Sequence, residues 1–208
     1  MGNLERKIMV KSKRKYYIMG IILLFLGVLL WTAKPTWASS KRTEAVKAYR
    51  KFLSGSELKW DNYLTFKSEE CLFSLIYVNN DSIPELLIQG RSTYHAAGRE
   101  KLYAYKNGKI KLVHTAVDAF KYYKKTGIFC SVTFSQMEVN DYRKLSGDSS
   151  KILLSKRYRN GWFYYDKNNK MISKSMFNMS LKKYTKGQKS TAIKYHKNTA
   201  YNRIKYLK

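Results

Sequence analysis

Lys101-Leu102-Tyr103-Ala104-Tyr105-Lys106-Asn107-Gly108-Lys109-Ile110-Lys111-Leu112-Val113-His114-Thr115 decides how this chain folds. Two runs of strand-forming residues flank Asn107-Gly108, the dipeptide preferred by tight two-residue turns in which both central φ angles are positive. The stretch reads as a β-hairpin. Toward the C-terminus the same grammar repeats. Residues 120–123 and 128–134 flank Lys125-Thr126-Gly127, residues 141–145 and 151–158 flank Gly147-Asp148, and residues 162–165 and 171–175 flank Lys167-Asn168-Asn169. Along 128–134 the side chains alternate, with Ile128, Cys130, Val132 and Phe134 on one face and Phe129, Ser131 and Thr133 on the other.

Upstream, an apolar run over 71–78 is broken by Asn79-Asn80-Asp81-Ser82, and a second run opens at Pro84. Before residue 54 the period changes. Val46, Tyr49 and Leu53 recur at helical spacing, Ala45, Ala48 and Phe52 widen the stripe, Ser40 or Thr43 can cap it, and Gly55 provides a stop. This helix is expected to pack on the sheet. Lys41, Arg42, Lys47, Arg50 and Lys51 keep a membrane-surface helix as the alternative. The tail has a polar stretch at 186–190, an extended run at 192–195 and a short helix over 199–207. The expected class is α+β: an antiparallel β-meander or small barrel, preceded by an amphipathic helix and closed by a short C-terminal helix.

The N-terminus has a different logic. Lys7, Lys11, Lys13, Arg14 and Lys15 precede an uncharged stretch over 16–33, which is followed by Lys34, Pro35 and Thr36-Trp37-Ala38. A basic flank, an apolar run and small residues before a cut after Ala38 are the parts of an export signal. The run is also just long enough to span a bilayer, so an uncleaved anchor is open beside a mature chain beginning at Ser39. In both readings residues 1–38 are signal or anchor, and residues 39–208 form one exported β-rich domain at the cell surface or beyond it. No polar face interrupts the apolar stretch, which argues against a core helix.

The chain carries 41 Lys and Arg against 14 Asp and Glu. Residues 1–38 hold seven of the basic and one of the acidic side chains, so the remainder keeps 34 and 13, a formal +21. Basic residues interleave with tyrosine, as in Tyr122-Tyr123-Lys124-Lys125, Lys156-Arg157-Tyr158-Arg159 and Lys194-Tyr195-His196-Lys197. In a cytosolic protein such a pattern would suggest nucleic acid. Outside the cell, the expected partners are anionic cell-wall polymers or lipid head groups, and membrane contact is confined to the N-terminal segment. Tyrosines at half-buried strand positions and lysines guarding sheet edges would produce the same pattern.

For chemistry, the turn Asn79-Asn80-Asp81-Ser82-Ile83-Pro84-Glu85 comes first. Oxygen ligands at Asn79, Asp81 and Glu85 have a spacing suited to a hard cation, and Ca²⁺ is the one cofactor the sequence leaves open. Tyr77 stands where a first carboxylate is expected and Ser82 where a Gly would ease the turn. A plain Asn/Asp turn between two strands is the competing reading. Residues 75–88, with Ile83-Pro84-Glu85-Leu86, together with His95-Ala96-Ala97-Gly98 and Lys197-Asn198-Thr199-Ala200-Tyr201-Asn202-Arg203, resemble uncharacterised small secreted proteins of Gram-positive, clostridia-like bacteria. The resemblance implies a compartment and a fold and no reaction.

His95 and Gly98 sit in a small-residue loop where backbone could approach a ligand closely, and are the candidate ligand-binding residues. His95, His114 and His196 match no metal-ligand spacing. Nucleophile elbows and phosphate-cradling Gly loops are missing, and no close acid pair is evident. A small basic phosphodiesterase using His95 and His114 is the surviving enzyme option. Cys71 and Cys130 could pair in an oxidising exterior or stay as buried thiols. The expected function is an exported, non-catalytic, strongly basic module, with a calcium- or small-ligand-binding module as the alternative.

Overall fold

The computed structural model describes residues 36–60, 65–90 and 100–208. The expected signal or anchor therefore lies outside the described residues apart from its last three positions, as does the loop carrying His95 and Gly98. Residues Ser40–Lys208 form one compact unit. Among the described residues, no helix is long and apolar enough to cross a membrane.

Helix α1 (Thr36–Leu53) is followed by a short hairpin, β1 (Glu57–Lys59) and β2 (Thr65–Lys67), and one turn of 3-10 helix, Ser68–Glu70. Strands β3 (Leu72–Ile76), β4 (Glu85–Gln89), β5 (Glu100–Lys106) and β6 (Lys109–Ala116) pair antiparallel in sequence order. Strands β7 (Ala119–Tyr123), β8 (Ile128–Phe134), β9 (Glu138–Ser146), β10 (Ser149–Tyr158), β11 (Trp162–Asp166) and β12 (Met171–Ile172) form a second sheet of six. Helix α2 (Lys174–Tyr184) follows. The tail then adds β13 (His196–Lys197) to the free edge of β3 and ends in α3 (Ala200–Tyr206).

The α+β expectation holds, and the meander is doubled. Neither sheet closes on itself, so the barrel alternative is corrected to two stacked open sheets. Alternation explains the layering, because each strand has two faces and here both find a partner. Phe73, Leu86, Ile88 and Tyr103 bury against Ala45, Val46, Tyr49 and Leu53 of α1. On the opposite faces, Ile76, Leu87 and Leu102 meet Phe120, Phe129 and Leu145 across the gap between sheets. The far face of the six-stranded sheet packs Ile128, Cys130, Val132, Tyr142 and Leu154 around Phe177 of α2. The order is helix, sheet, sheet, helix. The two faces read from 128–134 belong to two different cores.

This layering settles two alternatives. The apolar face of α1 over residues 45–53 is under the five-stranded sheet, with Ala45, Tyr49 and Leu53 fully buried, so this part of the helix packs on the sheet. Cys71 and Cys130 are free thiols buried in separate clusters on opposite outer faces.

The turns obey their local chemistry. Asn107 and Gly108 take φ of 51° and 76°, the doubly positive pair the hairpin needs. One expectation fails. The strand read over 171–175 stops at Ile172, because Ser173 caps α2 by accepting the Met176 N–H at 3.2 Å. Helical spacing of Phe177, Leu181 and Tyr184 is present in the sequence. It is the slot between the rings of Tyr142 and Tyr164, 5.6 Å and 5.0 Å from the Phe177 ring, that commits the segment to helix.

Candidate functional site

The 79–85 turn connects β3 to β4 and is held by its own side chains. Asn79 Oδ1 accepts the Asp81 N–H at 3.1 Å, and Asp81 Oδ1 accepts the Ile83 N–H at 2.9 Å. Glu85, 2% exposed, turns its Oε2 onto the Val78 N–H at 2.9 Å. All three residues line one cavity of about 300 Å³ with Lys41, Glu44 and Lys106. One oxygen of each is engaged in closing the hairpin. Among the described residues, no three His, Cys, Asp or Glu side chains gather as a metal site. Burial, reinforced by the Asp81 charge, lifts the Glu85 pKa to about 8 against the pull of the Val78 N–H. A carboxyl held protonated is a poor ligand for Ca²⁺. Thermal melts in Ca²⁺ and in chelator should therefore superimpose; a Ca²⁺-dependent rise in Tm would reinstate the cation reading.

His95 and Gly98 fall outside the described residues. The other two histidines are on β6 and β13, the opposite edges of the five-stranded sheet, and do not converge. His114 faces the inter-sheet core with its ring 5.3 Å from Phe129 and its Nε2 buried without a hydrogen-bond partner. Burial, helped by the Arg143 charge, drops its pKa to about 4. His196 stacks on Tyr206 at 3.5 Å between ring centroids.

The basic–aromatic pattern becomes a surface. Register places Phe134 opposite Glu138, Glu138 opposite Tyr158 and Tyr158 opposite Trp162, one row across four strands at the end of the six-stranded sheet. Phe134, Tyr158 and Trp162 are 56%, 47% and 36% exposed, so α2 does not cover this end. Lys156, one row inward, holds its ammonium 3.9 Å above the Trp162 ring, and the Tyr158 ring is 5.3 Å from it. On the reverse face Arg157 lies over Tyr165 at 4.4 Å and donates to Asn169 Oδ1 at 2.8 Å. Residues 149–208 carry 16 Lys and Arg and one acid, Asp166, which accepts the N–H groups of Asn168 and Lys170 in its own turn. Half of this surface was legible: Lys156-Arg157-Tyr158-Arg159 stands out in the sequence, whereas its pairing with Trp162-Phe163-Tyr164-Tyr165 comes from register.

A second feature has no signal in the sequence. Glu100, at the start of β5, is only 4% exposed and lines a cavity of about 430 Å³ with Gln89, Lys121, Thr191 and Tyr195. A lone Glu at the head of a strand looks like any solvated acid until the tail is placed beside it.

Searches against protein-family profiles, curated proteins and solved structures return no match.

Proposed function

We propose that this chain is an exported, non-catalytic module that binds anionic envelope polymers through the open end of its six-stranded sheet. One observation carries the reading: in a chain with 41 Lys and Arg against 14 Asp and Glu, Lys156 and Arg157 flank an exposed aromatic row whose Trp162 is already in contact with Lys156. Cations there attract phosphate or carboxylate groups along a chain, and the exposed rings offer apolar area to the carbon skeleton between them. A cation resting on an aromatic face keeps its charge while its stem is ordered, which reduces the entropy lost on binding. Export, the premise for naming envelope polymers over nucleic acid, rests on the sequence of residues 1–38.

The test is retention on immobilised poly(glycerol phosphate), with neutral dextran as control. Retention should be strong at low salt and largely lost near about 0.5 M, where exposed charges are screened over a few ångströms. Lys156→Glu with Arg157→Glu should lower the salt needed for elution. Trp162→Ala with Tyr158→Ala should weaken binding several-fold at constant net charge. Retention unchanged at high salt would remove the electrostatic reading. Equal retention of a single-stranded DNA of matched charge would make the surface a general polyanion site and leave the polymer assignment to compartment alone.

A further inference from the structure

One acid interrupts the aromatic row, and register puts a ring on either side of it. Glu138 on β9 is opposite Phe134 of β8 and opposite Tyr158 of β10, with Trp162 of β11 next in line. Residues paired across neighbouring strands point to one face. All four therefore continue the face that packs Val132, Cys130, Tyr142 and Leu154 around α2, at the end the helix leaves open.

The Glu138 carboxylate is oriented from the row beneath it. Its Oε1 accepts a hydrogen bond from Asn140 Nδ2 at 2.6 Å, and Asn140 is 2% exposed. Its Oε2 is neither buried nor hydrogen-bonded among the described residues. Lys156 is directly opposite Asn140, yet its ammonium lies over Trp162 instead of on Glu138. Among the described residues Glu138 makes no ion pair, although the chain has 41 lysines and arginines.

This arrangement favours one kind of group. An open carboxylate oxygen attracts a cation, and so does a ring face within about 6 Å of its centroid. Side chains directly opposite each other have Cβ atoms about 4.5–5.5 Å apart, so a cation on Glu138 is within reach of the Phe134 and Tyr158 rings. A primary ammonium carries three N–H donors, and the row meets them with one carboxylate and apolar rings. An alkylated ammonium has few donors or none to satisfy, and its methyl groups bury apolar area against the rings. The Lys156–Trp162 contact is the same interaction made within the chain.

We propose that Phe134, Glu138 and Tyr158 form a subsite for an alkylated ammonium group carried by the bound polymer. This rests on the reading of the row as a polymer site and narrows it: the polymer bears cationic substituents as well as anionic groups.

The experiment is equilibrium dialysis of the full chain against labelled choline. Unlabelled choline should displace the label at concentrations at least about tenfold below those needed of 3,3-dimethylbutan-1-ol, which has the same shape without the charge, or of ethanolamine. Glu138→Gln keeps an acceptor for Asn140 and should weaken choline binding about tenfold or more. The same variant should raise the salt needed for elution from poly(glycerol phosphate), because an acid leaves a cationic surface. Phe134→Leu removes an exposed ring at constant charge, should weaken choline binding several-fold, and serves if the Gln variant does not fold. No choline uptake, equal displacement by either competitor, or undiminished uptake in Glu138→Gln would each overturn the proposal. Retention on poly(glycerol phosphate) without choline uptake would leave the polymer reading standing alone; choline uptake without retention would keep the subsite and remove the polymer. Sedimentation with phosphatidylcholine vesicles that is lost in Glu138→Gln, with no retention on choline-substituted dextran, would assign the group to a lipid and overturn the polymer assignment.

Discussion

Thermal stability should be greatest in weak acid, near pH 5, and should fall by roughly 10 °C or more toward pH 8, where each kcal/mol shifts Tm by about 2–4 °C in a chain of this size. Three buried groups produce this. Burial raises Glu85 to about 8 and Glu100 to about 7 from an ordinary 4.5. The fold holds these carboxyls protonated at a pH where the unfolded chain has released its protons. Their stability contribution is therefore complete below 4.5 and is lost as pH rises through the folded values. His114 works in the other direction. Its pKa falls to about 4 from 6.5, so its contribution is complete above 6.5 and is lost as pH drops toward 4. Between 4.5 and 6.5 the fold binds one more proton, net, than the unfolded chain, for a slope of about 1.4 kcal/mol per pH unit. From 6.5 to 7 the difference is two protons, and above 7 Glu85 alone continues. Repulsion among the excess cations adds to the loss on the acid side.

The measurement is a set of thermal melts from pH 4 to 9 on the wild type and Glu85→Gln. The Gln variant should be flatter above pH 5, and its stability difference from the wild type should change by several kcal/mol between pH 4.5 and 8. Parallel curves would mean that the Glu85 carboxyl titrates alike in folded and unfolded chains.

Asn198→Ala should lower stability by roughly 2–4 kcal/mol, the scale of breaking a buried network that leaves polar groups unpaired. Asn198 is 1% exposed and joins three parts of the chain. Its Nδ2 donates to the carbonyl oxygens of Leu53 and Ser68 and to Ser68 Oγ at 2.7–2.9 Å. Its Oδ1 accepts from Arg203 at 2.9 Å, and its backbone N–H donates to Cys71 O at 3.1 Å. The end of α1, the start of β3 and the entry to α3 are thus tied at one side chain. Ser68 Oγ also donates to Leu53 O at 2.7 Å, so the network survives in part. Thr199→Ala, which removes only the α3 cap at Asn202 N, should cost about 1 kcal/mol. Deleting residues 198–208 should prevent folding, because it also removes Leu207, which is fully buried beneath α1. Urea unfolding would rank the variants. Equal losses for Asn198→Ala and Thr199→Ala would reduce Asn198 to an ordinary turn residue.

The stretch from Lys197 to Arg203 illustrates what a sequence can and cannot convey. Thr199 capping a short helix is a local matter, and the helix over 199–207 is visible from composition and spacing. That Asn198 is the tie between distant segments is not visible, since its partners are 130 and 145 residues away. The 79–85 turn shows the opposite balance. Asn79, Asp81 and Glu85 are conspicuous in the sequence at cation-ligand spacing. The same oxygens also fit the backbone N–H groups of their own turn, which the structure pairs with them. For α2, the two-residue strand Met171–Ile172 runs directly into the cap Ser173 and hides the helix that follows, and the Phe177 slot decides.

Glu100 and the paired aromatics fall to tertiary structure for a common reason. Burial and register are properties of what lies opposite, and what lies opposite Glu100 is Tyr195. By itself the sequence determined the hairpins, their turns, the helix that covers the first sheet and the great excess of positive charge. Turn chemistry and periodicity act over a few neighbouring residues, and charge merely adds. Tertiary structure alone decided that the meander splits into two stacked sheets, that the tail returns to the edge of β3, and that one carboxylate is sealed between them. Those outcomes depend on contacts between residues far apart along the chain, where no local pattern reaches.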